Sequence, residues 1–327
     1  MYRSRILGTG SYLPERVITN HDLEKLVDTN DEWITTRTGI RERRQVGDGQ
    51  ACSDLALEAS RRAIADAGID ASEIEMVVIG TVTSDMPFPS TAVLVAQALG
   101  LKCCAFDLSA ACSGFMHALA MADNAVRTGM IKKALVIGAE ALTTIVNWED
   151  RGTCILFGDG AGAAIIGATS ADDPQGLGPI HLHSDGSLAE ELCIPAGGSR
   201  TELTAELLAQ KQNKVHMTGN VIFKHATRNL ASVAQEALDS AGWSAEDVDH
   251  VIAHQANLRI LDACLKRCGM PSDKLFVNLD RYGNTSAASL PIALDEARRE
   301  GRLKSGDKLL FLALGGGIVW SGGTCTL

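Results

Sequence analysis

Long apolar runs are missing from this sequence of 327 residues, and no stretch approaches the ~20 consecutive apolar residues that a spanning helix needs. The segment after Met1, RSRILGTGSYLPERVIT, also lacks the apolar core of a secretory leader, so the expected setting is the cytoplasm. Cysteine spacing of the metal-binding kind is absent as well. None of the nine cysteines forms a CxxC pair; Cys103 and Cys104 are adjacent, and Cys264 and Cys268 share a helical face without a neighbouring histidine. That pattern indicates reduced thiols and no metal, rather than a zinc site or a disulfide framework. Basic charge is in deficit: 30 Lys and Arg stand against 40 Asp and Glu, for a formal charge of −10. A nucleic-acid surface needs a basic footprint, so none is expected, and any basic patch must be local. The run FGDGAGAA, Phe157 to Ala164, does not fit GxGxxG and leads into a strand rather than a helix, which argues against a nucleotide loop.

What is present is ordinary globular material, 46% hydrophobic and 21% charged, enough for one large core or two fused ones. Five short apolar runs read as buried parallel strands: Met76 to Ile79, Ala134 to Ile137, Ala163 to Ile166, Val251 to Ala253 and Leu309 to Leu314. Helical patterns lie between them at Leu55 to Ala67, Gly114 to Thr128, Leu230 to Ser240 and Leu258 to Cys268. The last has Asn257 as a plausible N-cap and Gly269 just past its end. The alternation predicts an α/β protein with helices on mostly parallel sheets.

An internal echo sharpens this. AGIDASEIEMVVIG, Ala67 to Gly80, aligns without gaps to AGWSAEDVDHVIAH, Ala241 to His254, close to half the chain away. A second pair follows in the same order: TGMIKKALVIGAEA from Thr128 and EGRLKSGDKLLFLALGGG from Glu300. Helix-turn-strand units are common enough to match by chance, but preserved order favours duplication. Two halves are therefore expected, 1–172 and 173–327, with a site where corresponding strand ends meet. Residues 184–217 are the least legible and are expected to cover a pocket or a subunit contact.

FDLSAACSGF, Phe106 to Phe115, reads as a strand end, a turn of small residues and a helix that begins at the cysteine. A thiol placed there feels the positive end of the helix dipole and is expected to titrate below the usual ~8.5, where it is roughly 3% ionised at pH 7. The alternative is one more small buried residue, which is how Cys52 reads, in the same Ala-Cys-Ser context without the preceding strand. HQAN, His254 to Asn257, closes the strand Val251 to Ala253; His254 thus stands at a strand's carboxyl end, where α/β sheets gather ligands. YGNTSAAS, Tyr282 to Ser289, turns into a helix through small residues. In ALGGGIVWSGG, Ala313 to Gly323, three consecutive glycines carry an entropic cost that a close approach of backbone to ligand would explain.

ACSG at Cys112, HQAN at His254, GNTS at Asn284, the GDGAGA run and the terminal GGG, in this order and over the whole chain, resemble β-ketoacyl-[acyl-carrier-protein] synthase III. The resemblance implies the thiolase fold, a five-layered αβαβα architecture of two pseudo-symmetric halves, consistent with the echo. It also implies a cofactor-free acyltransferase that condenses an acyl-CoA with malonyl-acyl carrier protein. Cys112 would be the nucleophile, His254 and Asn284 the donors to an enolate, and the amides of Cys112 and Gly316 the oxyanion hole. For CoA the resemblance points to Trp33, Arg37, Thr38, Arg151, Phe223, Ala256 and Asn257. Phe88 would close the acyl pocket of the partner in a homodimer, favouring a short primer such as acetyl. Lys224, Arg259, Lys266 and Arg267 would dock the carrier protein.

Near relatives fit less well. A biosynthetic thiolase usually carries a second catalytic cysteine before the glycine run, where Leu314 stands here. Elongating synthases use two histidines, and plant-type polyketide synthases are longer. A bacterial relative of specialised metabolism, with another primer or a CoA-linked extender, stays open from sequence alone, and a non-catalytic protein of the same fold is argued against by the intact set of Cys112, His254 and Asn284.

Overall fold

The computed structural model describes residues 2–327. Two mixed sheets organise it. The first contains β1 (Arg3–Tyr12), β2 (Met76–Gly80), β3 (Cys104–Leu108), β4 (Lys133–Glu140) and β5 (Gly160–Thr169), in the spatial order β1-β5-β4-β2-β3. The second contains β6 (Gly176–Ser184), β7 (His250–Ala253), β8 (Lys308–Gly315) and β9 (Val319–Thr326), in the order β7-β8-β9-β6. The expectation of mostly parallel sheets is corrected. β2 runs parallel to β3 and β4, and β7 to β8, but β5 is antiparallel to both β1 and β4, and β9 to both β8 and β6. The run Ala163 to Ile166 misled because a strand buried on both faces is apolar throughout, whichever direction its neighbours take.

Five layers follow from which faces of these strands are apolar. Helices are α1 (Asp31–Thr38), α2 (Cys52–Ala67), α3 (Gly114–Arg127), α4 (Gly219–Ala241), α5 (Leu258–Arg267) and α6 (Ser289–Arg299). Alternate strand residues point to opposite faces. Val77 and Ile79 of β2 face outward to Leu55 and Ala59 of α2, whereas Met76 and Val78 face inward to Phe115 and Leu119 of α3. In the second sheet Leu309 and Phe311 join the same central core, while Leu310 and Leu312 face Leu230 and Val233 of α4. α3 and α6 thus fill the layer between the sheets, α2 covers one outer face, and α4 with α5 covers the other.

The echo is visible in matching elements. α2 ends at Gly68 and α4 at Gly242, both left-handed with φ of +63° and +68°, and each is followed by a buried strand, β2 or β7. α3 and α6 are each preceded by a single 3-10 turn, Ala111–Ser113 and Ser286–Ala288, whose first residue has positive φ, +46° and +50°. These two turns pack against each other between the sheets. No helix among the described residues is long and apolar enough to cross a membrane.

Candidate active site

The cysteine turn owes its position to missing side chains. A Cβ on Gly80, at the end of β2, would lie 2.4 Å from the carbonyl carbon of Gly114, so glycine at both places lets the start of α3 rest on the strand backbone. Opposite, a Cβ on Gly315 would lie 2.6 Å from the amide nitrogen of Cys112. The first glycine of the terminal run therefore makes room for the cysteine backbone rather than for a ligand. Gly316 and Gly317 line a cavity together with Cys112.

His254 leaves the carboxyl end of β7 with its amide bonded to the Leu312 carbonyl at 2.8 Å. The next residue, Gln255, is buried and cross-braced: its amide donates to Ser289 Oγ, its Nε2 to the Phe276 carbonyl, and its Oε1 accepts from the amides of Asn278 and Leu279. Asn284 is held through its backbone, which bonds the Leu156 carbonyl at 2.8 Å and accepts from the Gly158 amide at 3.0 Å. Its Oδ1 accepts the Ser286 amide at 2.9 Å, which leaves Nδ2 as the free end of the side chain. Cys112, His254 and Asn284 line one cleft.

The electrostatics correct one expectation. Cys112 keeps partial solvent access, yet its thiol is deep enough that burial pushes its pKa up to about 12 rather than down. Cys112 lies in the turn that leads into α3 at Gly114, and desolvation is the largest influence on its thiol. A hydrogen bond with Ser286 works in the opposite, lowering direction, and the nearby Glu140 carboxylate adds to the rise. Burial also holds His254 down at about 4 against a weaker upward pull from the Ser286 main chain, and no group meets hydrogen-bond geometry at its Nδ1. The imidazole is thus neutral at physiological pH. Cys52, the structural cysteine, starts α2 beside Thr81 and is pushed up by burial.

Two cavities meet at Cys112. The cleft shared with His254 and Asn284 runs outward past Phe223, Ala256 and Asn257, three of the positions expected to hold CoA. A second cavity also reaches the thiol, lined by apolar groups including Leu142, Ile145, Ile194 and Val215. The segment 184–217 supplies its cover through Ala189, Leu192, Cys193 and Ile194. The guanidinium groups of Arg37 and Arg151 both lie over the Trp33 ring, 4.8 and 4.9 Å from its centre. Thr38 is differently employed: it is buried, and its hydroxyl donates to the Ile34 carbonyl and accepts from the Ile40 amide, closing the end of α1. Its side chain is therefore turned away from any ligand. Asn257 caps α5 through the Arg259 amide and donates to the Arg37 carbonyl, tying α5 to α1.

Phe88 is 83% exposed and lines neither cavity of its own chain. Lys224 on α4 and Arg259, Lys266 and Arg267 on α5 are all exposed, beside one another on packed helices, with Arg259 stacked 5.6 Å over Phe223 at the cleft mouth. Arg228, one helical turn beyond Lys224, extends the same basic face. Among the described residues there is no cluster of His, Cys, Asp and Glu able to hold a metal ion.

Sequence reasoning passed over Ser286 and Glu140. Ser286 looked like one small residue in a turn. Glu140 had a readable signal: it ends the run ALVIGAE, and a carboxylate closing a fully buried strand is rarely buried without purpose.

Residues 106–186 match the family model described as 3-oxoacyl-[acyl-carrier-protein (ACP)] synthase III, and residues 238–327 match its C-terminal model. A β-ketoacyl-[acyl-carrier-protein] synthase III of Caldanaerobacter subterraneus is 51% identical over 317 residues, covering 97% of this chain and 95% of its own. One from Xanthomonas axonopodis pv. citri is 52% identical over 323 residues, covering 97% and 96%. The crystal structure of the 3-oxoacyl-[acyl-carrier-protein] synthase III of Aquifex aeolicus superposes with a TM-score of 0.90 at 44% identity, over 99% of this chain and 100% of that one.

Proposed function

Since this chain belongs to the β-ketoacyl-[acyl-carrier-protein] synthase III family, we propose that Cys112, His254 and Asn284 carry out the family's reaction, the initiating condensation of fatty acid synthesis. The enzyme is an acyltransferase of the thiolase fold that joins a short acyl-CoA to malonyl-acyl carrier protein, giving 3-ketoacyl-acyl carrier protein, CoA and CO₂.

In the first half-reaction Cys112 attacks the primer thioester, and the tetrahedral oxyanion is held by the amides of Cys112 and Gly316. CoA leaves as its thiol, and the acyl chain remains on sulfur. In the second, malonyl thioester loses CO₂ and its enolate oxygen accepts from His254 Nε2 and Asn284 Nδ2. A neutral His254 suits this, since it donates a proton in hydrogen bonding without bringing a full charge into the cleft. The enolate carbon attacks the acyl-Cys112 carbonyl and expels the thiolate. The observation that carries this assignment is the position of the thiol at the junction of two cavities, one polar at its inner end, the other apolar. A pantetheine arm in the first leaves the second for the acyl chain.

Several finer features belong to the same proposal. Phe223, Ala256 and Asn257 line the pantetheine route, and Trp33, Arg37 and Arg151 receive the nucleotide end of CoA. The division at 172/173 fits the change from β5 to β6, which belong to different sheets. The active form is a homodimer, supported by the exposed apolar side chains Val82, Met86, Phe88 and Val93 in the stretch leading to the helix that packs on edge strand β3. Phe88 then reaches the partner's acyl cavity and favours an acetyl primer. The cytoplasm is its proposed setting, as both substrates are soluble thioesters.

The test is intact mass of the enzyme after incubation with acyl-CoAs of increasing length, followed by malonyl-acyl carrier protein. One acyl group should add to wild type, and none to Cys112→Ser or Cys112→Ala. Near-normal condensation by Cys112→Ser would refute the assignment.

A further inference from the structure

Glu140 ends β4 in the middle of the molecule, wholly buried, and the reaction as described leaves it without a task. All of its partners are uncharged donors. Oε2 accepts from the hydroxyls of Thr83 at 2.6 Å and Thr81 at 3.3 Å, the Val82 amide reaches both oxygens, and Oε1 accepts from Ser286 Oγ at 3.1 Å. Burying an ionised carboxylate without a cation is costly even when it is hydrogen-bonded, so a structural role alone would be served as well by a neutral amide.

Ser286 also lines the cavity beside Cys112, and its hydroxyl favours the ionised form of that thiol. It has a single proton, which it gives to Glu140, so toward the thiol it is an acceptor. Ser286 therefore stands between the Cys112 thiol and the Glu140 carboxylate, with its proton on the Oε1 side and a lone pair left to accept from S–H. We propose that Glu140, a positioning and proton-holding residue acting through Ser286, takes up the proton released when Cys112 becomes a thiolate. The Cys112 proton passes to Ser286 Oγ while the Ser286 proton passes to Glu140 Oε1. No net charge enters the site, and the serine hydroxyl, now turned round, donates to the thiolate. The transfer also removes the like charge that opposes thiolate formation, since Glu140 becomes neutral in the same step. Glu140 suits the role because burial lifts it to about 7, whereas His254 is held too low to accept the proton readily.

The ionisable groups facing Glu140 are Cys112 from the turn before α3, Cys52 from the start of α2, and His254 across the Ser286 backbone, with Asp85 and Asp107 beyond Cys52. Cys52 and Cys112 are held protonated by burial.

This inference rests on Cys112 being the nucleophile, and the test keeps the two separable. Alkylation of Cys112 by iodoacetamide, mapped by peptide mass between pH 6 and 9.5, is compared with single-turnover acylation by acetyl-CoA at pH 7.5. In wild type the alkylation rate should rise to about pH 7, flatten over the next pH unit while the pair shares one remaining proton, and climb again as that last proton leaves. In Glu140→Gln it should keep rising about tenfold per pH unit and overtake wild type, while acylation at pH 7.5 falls by about 10²-fold. Opposite movements in the two assays are not what simple loosening produces. Glu140→Asp should restore the flattening, Ser286→Ala should lose acylation as Glu140→Gln does, and the double variant should be no worse than either. A Glu140→Gln profile parallel to wild type, or acylation that survives in Ser286→Ala, overturns the relay. If wild type itself forms no acyl-Cys112, the nucleophile assignment fails instead.

Discussion

His254 and Asn284 show how single residues are prepared for chemistry by what surrounds them. Backbone bonds fix Asn284 and Ser286 takes its oxygen, so only its amide nitrogen is spare; burial keeps His254 neutral. Both donors serve the enolate. His254→Ala and Asn284→Ala should therefore slow condensation by on the order of 10²- to 10³-fold while acyl-enzyme forms at a rate much nearer wild type. Equal loss in the two half-reactions, measured by single turnover, would contradict this division. The same residue predicts a pH effect. The folded pKa of His254, about 4, lies below its ordinary value of 6.5, so between those values the unfolded chain binds more protons than the folded one. Stability should fall as pH drops through this window, by on the order of 3 kcal/mol in all. His254→Gln removes that contribution, so on acidification from pH 7 to 4.5 its urea midpoint should fall less than that of wild type. Identical acid slopes would show that His254 is not held neutral in the fold.

At the scale of elements, α5 illustrates how local signals carry. Asn257 caps it, Gly269 follows it in the left-handed conformation, and Leu261 and Leu265 turn inward, as their spacing requires. Its outer face, with Arg259, Lys266 and Arg267, joins Lys224 of α4 at the mouth of the cleft, in a chain whose formal charge is −10. Exposed rim charges act mainly on encounter rate. Charge reversal in Arg259→Glu with Lys266→Glu should raise KM for malonyl-acyl carrier protein, most at low salt, while acylation of Cys112 by acyl-CoA changes little. Parallel decline of both half-reactions, or none, would remove the patch as the docking face. α4 was less legible: its helical pattern reads from Leu230, yet the helix begins at Gly219. Its first turns carry Ile222 and Phe223, which line the cleft, Ile222 joining the core as well, so their spacing does not report a simple amphipathic face.

For the whole molecule, the proposed homodimer can be tested at its exposed apolar stretch. A ring as exposed as Phe88, on a stretch that also bares Met86 and Val93, is an unusual cost for a monomer. An isologous dimer through the β3 edge would cover it. Sedimentation should show a dimer, and Phe88→Ala should extend the range of acyl-CoAs that load Cys112 toward longer chains without loss of acetyl loading. A fully active monomer would detach Phe88 from the acyl cavity.

Several of these features were determined along the chain itself. Strands and helices followed from periodicity, duplication from two echoes kept in the same order, the first of them gap-free, and the proposed set of Cys112, His254 and Asn284 from the family resemblance that their short motifs carry. These are short-range properties, written within a few residues of one another. Strand direction, the antiparallel course of β5, and the true role of Gly315 were decided only in three dimensions, because a buried strand or a glycine reads alike for several neighbours. The Cys112 thiol shows the difference most plainly. The turn and helix beside it argue for a lowered pKa, but the dielectric around a sulfur is set by everything packed over it, and burial raises it. Glu140 and Ser286 stand far apart in sequence and reach Cys112 from different sheet ends; no local pattern joins them, and only the meeting of the two halves does.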